Sequence, residues 1–341
     1  MSLHACLRPP RPQQRPPLAN LQFRPPHPWP GSATPPDIVN MQTFVDVHRW
    51  ADIKMVNYVV RPREDHAVVP RSEVVETLDP DVAFELYANN AESRIAFAQI
   101  GLKHLLVSED VQLGPVCFVT LVPACCALPV GDGKPVSLEA NTTWRRIGRA
   151  ANFDVRVLQQ MARQALGSIP FVGMVEAALY WRWRPGRKDW RDWIAWHCHL
   201  VTWGVHRDEV SRVLAPFRER HTSMMEDVPA AHVQAVPHDD LTRQFLYMMK
   251  APQKMTRVEY FKRSRPSPTT GEIKPPGWHP NKDWLQTGHR IRLMDVMGHR
   301  RLDELFFGNR EGTALCRSIR NEALAPLRAR QRQEELVRRR R

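Results

Sequence analysis

Residues Phe171 to Trp203 constrain the fold more than any other stretch of this chain. Phe171 to Trp181 is an apolar and aromatic run that reads as a strand, and Trp196-His197-Cys198-His199-Leu200-Val201 reads as a second. The Pro185-Gly186 turn between them makes the pair an extended β-hairpin. Successive side chains of a strand point to opposite faces, so His197 and His199 share one face and Cys198 looks away. Two imidazoles on one rigid face can hold a metal ion, although histidines in a sheet more often only pack.

A third ligand is expected on the neighbouring strand. Glu176 is the only charged residue between Phe171 and Trp181, and a lone buried carboxylate is costly unless it is paired or coordinated. It is either a ligand or the partner of an arginine. The hairpin tip, Arg182 to Asp192, is basic and aromatic. Trp181, Trp193, Trp196 and Trp203 read as sheet packing, whereas Trp183 and Trp190, with Arg184, Arg187 and Lys188, are candidates to stack bases and follow phosphates of single-stranded DNA.

Downstream, Asp240 to Ala251 has helical periodicity. Leu241, Phe245 and Met248 form an apolar stripe, and Arg243, Tyr247 and Lys250 fall on another face. A phenol between two cations suits a nucleophile that must meet a phosphate. The alternative is a half-exposed tyrosine whose hydroxyl reaches water. Pro252 ends the helix and leaves the direction of Lys254 open.

Three segments in order, Cys117-Phe118-Val119-Thr120-Leu121-Val122, His197-Cys198-His199 and Tyr247-Met248-Met249-Lys250, resemble the motifs of the HUH endonuclease superfamily. The resemblance is to its rolling-circle replication initiator, or Rep, branch. It spans roughly Val111 to Phe261, under half of the chain. Conjugative relaxases usually place the tyrosine ahead of the histidines, whereas here Tyr247 follows His199 by 48 residues. Tyr260 lies thirteen residues further on, beyond Pro252, so the resemblance is to the single-tyrosine form. It implies a metal site of His197, His199 and Glu176 that takes Mg2+ or Mn2+, Tyr247 as nucleophile assisted by Lys250, and Arg243 as a DNA contact.

The implied chemistry accounts for these residue types. A tyrosine hydroxyl with a reference pKa of about 10 is phenolate in only about one part in a thousand at neutral pH, a shortfall of about 4 kcal/mol. A neighbouring ammonium and a divalent metal that polarises the phosphate offset it. Attack leaves a 5′-phosphotyrosine and a free 3′ hydroxyl, and the step is reversible without ATP. The expected function is initiation of rolling-circle replication of a plasmid or phage, with a host helicase and polymerase as partners. A single-strand transposase or mobilisation protein with the same chemistry, and a DNA-binding regulator that does not cut, are the alternatives.

The expected fold is α+β, with a central antiparallel sheet carrying the His-x-His strand and helices packed largely on one face. Helices are expected over Phe153 to Leu166 and about Arg207 to Arg220, and a strand near His232 to Val236. The domain reading is a Pro-rich disordered tail over 1–41, an accessory region over 42–110, the nicking and joining domain over 111–262, and a linker with a basic C-terminal region over 263–341. Eleven of the thirty prolines fall in the first forty residues, too dense for a packed core. Trp284 to Phe307 is expected to form a small helical unit before the closing arginine run.

A net charge of +13 points to an anionic partner, the phosphate backbone first among them. No apolar run is long enough to span a bilayer. The six cysteines lack CxxC spacing and read as reduced thiols of a cytoplasmic protein, with Cys125 and Cys126 as packing residues. Gly131-Asp132-Gly133-Lys134 lacks P-loop spacing and reads as a turn.

Overall fold

The computed structural model describes residues 37–60, 71–130, 150–183, 191–225, 228–266, 273–274 and 276–340. The hairpin tip from Arg184 to Trp190, the Gly131 to Lys134 turn, most of the Pro-rich tail and part of the linker lie outside these residues, as does the Trp183 side chain.

Helices α1 (Met41–Val59), α2 (Ser72–Val75), α3 (Ala91–Leu106) and α4 (Glu109–Leu113) precede the first strand. Strands β1 (Val116–Leu121) and β2 (Ala127–Pro129) and helix α5 (Val155–Leu166) follow, and then β3 (Phe171–Trp183) and β4 (Arg191–Trp203). Next come α6 (Arg207–Val213), α7 (Ala215–Arg220), β5 (Ala231–Val236), α8 (Leu241–Met249), β6 (Lys254–Phe261), and the short pair β7 (Arg265–Pro266) and β8 (Ile273–Lys274). The chain continues through β9 (Gly277–Trp284), α9 (Thr287–Met297), α10 (Leu302–Leu305), β10 (Phe306–Asn309), α11 (Arg310–Ala323) and α12 (Ala325–Arg340).

The strands run in the order β5-β1-β4-β3-β6-β9, with β10 on β3 and β2 on β4. The β3–β4 hairpin is its long antiparallel centre. The sheet is mixed rather than antiparallel throughout, because β6 lies parallel to β3. That pairing follows from α8, which carries the chain back across the sheet before β6 begins.

Helices cover both faces, not largely one. On the face opposite the histidines, Trp196 is fully buried, its indole N–H donates to the Ala150 carbonyl at 3.1 Å, and its ring stacks on Phe153 just before α5. On the histidine face lies α8, whose Leu241, Phe245 and Met248 are fully buried as the apolar stripe requires. One buried apolar cluster reaches from Phe44 to Ala323, so α9, β10 and α11 belong to the same core although they lie beyond residue 262.

Other differences have local causes. The helix expected over Arg207 to Arg220 breaks at Leu214, since Pro216 cannot donate a hydrogen bond inside a continuous helix. The unit expected as helical up to Phe307 turns at Gly298, with φ 56°, and ends as strand β10. Only Cys126 of the adjacent cysteines packs; Cys125 is exposed, its sulfur 3.9 Å from His221 Nδ1.

Candidate metal centre

The register of three strands assembles the centre. Glu176 pairs with His197 across β3 and β4, and His199 pairs with Thr120 across β4 and β1. Alternation then puts Thr120, Glu176, His197 and His199 on one face. Glu176, His197 and His199 are all buried, with ligand atoms within 4.8 Å of one another. Glu176 Oε2 is 3.5 Å from His197 Nε2 and 3.3 Å from His199 Nε2.

The ring nitrogens facing away from Glu176 are also engaged. His197 Nδ1 faces the Ala195 carbonyl at 3.2 Å, a contact that puts a proton on Nδ1. His199 Nδ1 lies 2.9 Å from the Thr120 hydroxyl, which can donate or accept. A hydroxyl there lets His199 either give Nε2–H to Glu176 or release it to a cation. Burial pulls the His199 pKa down to about 4, so the ring is neutral at physiological pH, the form that ligates. Burial alone would raise the Glu176 carboxyl, but the Lys250 ammonium and the two imidazoles hold it well below its ordinary range.

Comparison with family models, curated proteins and solved structures finds no match. The site therefore stands on its own chemistry. Two imidazoles and one carboxylate, buried on one rigid face, fit a divalent cation, and both nitrogen and oxygen donors suit manganese, zinc or magnesium.

Helix α8 brings Tyr247 and Lys250 to this cluster. The Tyr247 ring centre is 5.4 Å from that of His199 and 5.9 Å from that of Phe118, and the residue is 40% exposed. Lys250 lies just past the helix and still comes beside Tyr247, as the spacing predicts. Its backbone turns extended, with ψ 152°, and its side chain goes inward. The ammonium reaches Glu176 at 3.0 Å and sits 4.0 Å from the centre of the Tyr247 ring. Arg243 is directed elsewhere: it forms a two-pronged ion pair with Asp240 at the start of the helix and remains half exposed.

Two residues that the sequence reading missed fix the Lys250 turn. Arg94 of α3, buried, donates to the carbonyls of Met249 at 2.8 Å and Lys250 at 3.1 Å, groups that a helix end leaves unpaired. His48 of α1 accepts the Ala251 N–H at 2.9 Å and contacts the Phe44 carbonyl at 2.6 Å through Nδ1. An arginine inside the apolar face of Ala91 to Leu105 was the available signal for the first. For His48 no local pattern exists, because its partner is 203 positions away.

Proposed function

We propose that this protein is a metal-dependent nicking and joining enzyme for single-stranded DNA, of the single-tyrosine HUH Rep type, that starts rolling-circle replication. The observation that carries the reading is the packing of the half-exposed Tyr247 on the buried His199, beside a cluster of metal-ligand chemistry. A nucleophile that must reach a polymer has to be open on one side and adjacent to the electrophile's activator on the other. Tyr247 meets both conditions. Glu176, His197 and His199 would hold the cation, which when bound supplies Lewis-acid polarisation of the scissile phosphate.

The protein's own side chains account for the remaining chemistry. The Tyr247 oxygen forms a bond to phosphorus as the P–O3′ bond breaks, the phenolic proton is lost, and the 3′ oxygen takes up a proton. Lys250 supplies positive charge beside the nucleophile, over the tyrosine ring itself.

The test is incubation of the protein with labelled single-stranded oligonucleotides tiled across the element that carries its gene, with Mn2+ or EDTA. A metal-dependent covalent adduct in the wild type and none in Tyr247→Phe is the expected result. Tight binding with no adduct on any oligonucleotide would replace the proposal with a DNA-binding regulator. An adduct that survives in Tyr247→Phe would move the nucleophile elsewhere, with Tyr260 the next to substitute.

A further inference from the structure

The histidine-bearing face of the sheet does not stop at the metal centre. After Glu176, the next β3 residues on that face are Ala178 and Tyr180. Tyr180 pairs with Thr256 in parallel register, so Thr256 and Lys254 share the face. Across β6 and β9, Thr256 pairs with Lys282 and Lys254 with Trp284. Lys254 and Lys282 are exposed, Trp284 is partly so, and the Lys254 ammonium lies 4.9 Å from the centre of the Trp284 ring.

The opposite face of the same ribbon differs. There Arg257 pairs with Asp283 at 3.4 Å, and Trp181 meets His289 of α9. The acid and the helix are on that side. Thr256 is buried, and among the described residues the surface of Lys254, Lys282 and Trp284 carries no acidic side chain.

We propose that this strip is a binding track for single-stranded DNA leading to the metal centre, an inference that rests on the proposed function. The register puts Lys254 about 7 Å along the sheet and about 5 Å across it from Glu176, using the ordinary rise and strand spacing. One strand can therefore touch both. Two ammonium groups beside a partly exposed indole combine phosphate attraction with an aromatic group on which a base can stack, the pairing that holds single strands without reading sequence. Duplex DNA has its bases stacked on each other and gains nothing from Trp284.

The experiment measures binding separately from cleavage. Fluorescence anisotropy of a labelled oligothymidylate, in EDTA over a range of salt, compares wild type with Lys254→Gln/Lys282→Gln and with Trp284→Leu. The lysine pair is expected to weaken binding about tenfold and to make the slope of log K against log salt shallower by about 1.4, two phosphates at about 0.7 each. Trp284→Leu is expected to weaken binding at least about fivefold with the slope unchanged. Lys254→Arg/Lys282→Arg should retain both affinity and slope. Unchanged affinity in the variants, or tighter binding of duplex than of single strand, overturns the track. Variant effects as expected, with no covalent adduct from wild type, would keep the track and remove the nicking reading. Normal binding by the variants, with a Tyr247-dependent adduct, would do the reverse.

Discussion

Lys250 donates to both oxygens of Glu176, at 3.0 and 3.2 Å. The buried carboxylate is thereby neutralised without a cation, and a cation that binds must take over that task. The centre therefore has two ways of satisfying one charge. Removing Lys250 leaves Glu176 with only the imidazoles, and an unpaired buried charge is costly. Lys250→Met is expected to destabilise the metal-free protein by about 3 kcal/mol, and Mn2+ should restore more stability to the variant than to wild type. Thermal melts with Mn2+ and with EDTA check this. Equal metal-induced shifts in the two proteins would show that Lys250 and the cation do not share Glu176.

Thr120 lies behind His199 and touches no ligand position directly. Its hydroxyl is the partner that must accept from Nδ1 when Nε2 turns to a cation. Thr120→Val keeps the shape of the side chain and removes the hydrogen bond. The expected outcome is a loss of about 10–100-fold in Mn2+ affinity, read by isothermal titration calorimetry, with little change in the metal-free melting temperature. A large fall in that temperature with unaltered affinity would assign Thr120 to packing instead.

The metal centre was legible in the sequence because it depends on strand alternation, which is local. His197, His199 and Glu176 could be placed on shared faces once their strands were recognised, and the register then had only to bring the strands together. Lys250 could be placed beside Tyr247 from the spacing, but its hold on Glu176 depends on the backbone turning extended after Met249, which no spacing rule records. The pairing of Arg243 with Asp240, the residue just before the helix, was likewise not read from the sequence. The parallel placement of β6, and with it the Lys254 and Trp284 surface, depends on where α8 delivers the chain, and no pattern within β6 records that.

His48 gives the fold an acid limit. Burial first, then the nearby Arg94, lowers its pKa from the ordinary 6.5 to about 3. A histidine with a folded pKa below its unfolded value leaves the unfolded chain binding more protons between the two, so stability is full above about pH 6.5 and falls toward pH 3. The span corresponds to at most about 5 kcal/mol at 1.36 kcal/mol per unit. The melting temperature is expected to drop steadily as the pH is lowered from 6.5. His48→Gln, which can still accept from Ala251 and donate to Phe44, should lower the melting temperature at pH 7 and flatten that decline. A decline as steep in the variant would place the acid sensitivity elsewhere, with Glu176 and His199 the next groups to substitute.

Gly101 sets how closely α3 and α8 approach, and through them where Tyr247 stands. A Cβ at this position would lie 2.7 Å from Phe245 Cζ, and Phe245 is fully buried two residues before Tyr247. The ring cannot swing away into open space, so the helices must part or the ring must leave its rotamer. Either response costs about 1–3 kcal/mol. Gly101→Ala is expected to lower stability by that amount and to slow adduct formation as α8 shifts against the histidines. Phe245→Leu shortens the obstructing side chain, so the double variant should recover about 1 kcal/mol relative to the sum of the single changes. Chemical denaturation of the four proteins measures this coupling, and strict additivity would mean that Gly101 and Phe245 do not determine the spacing between the two helices.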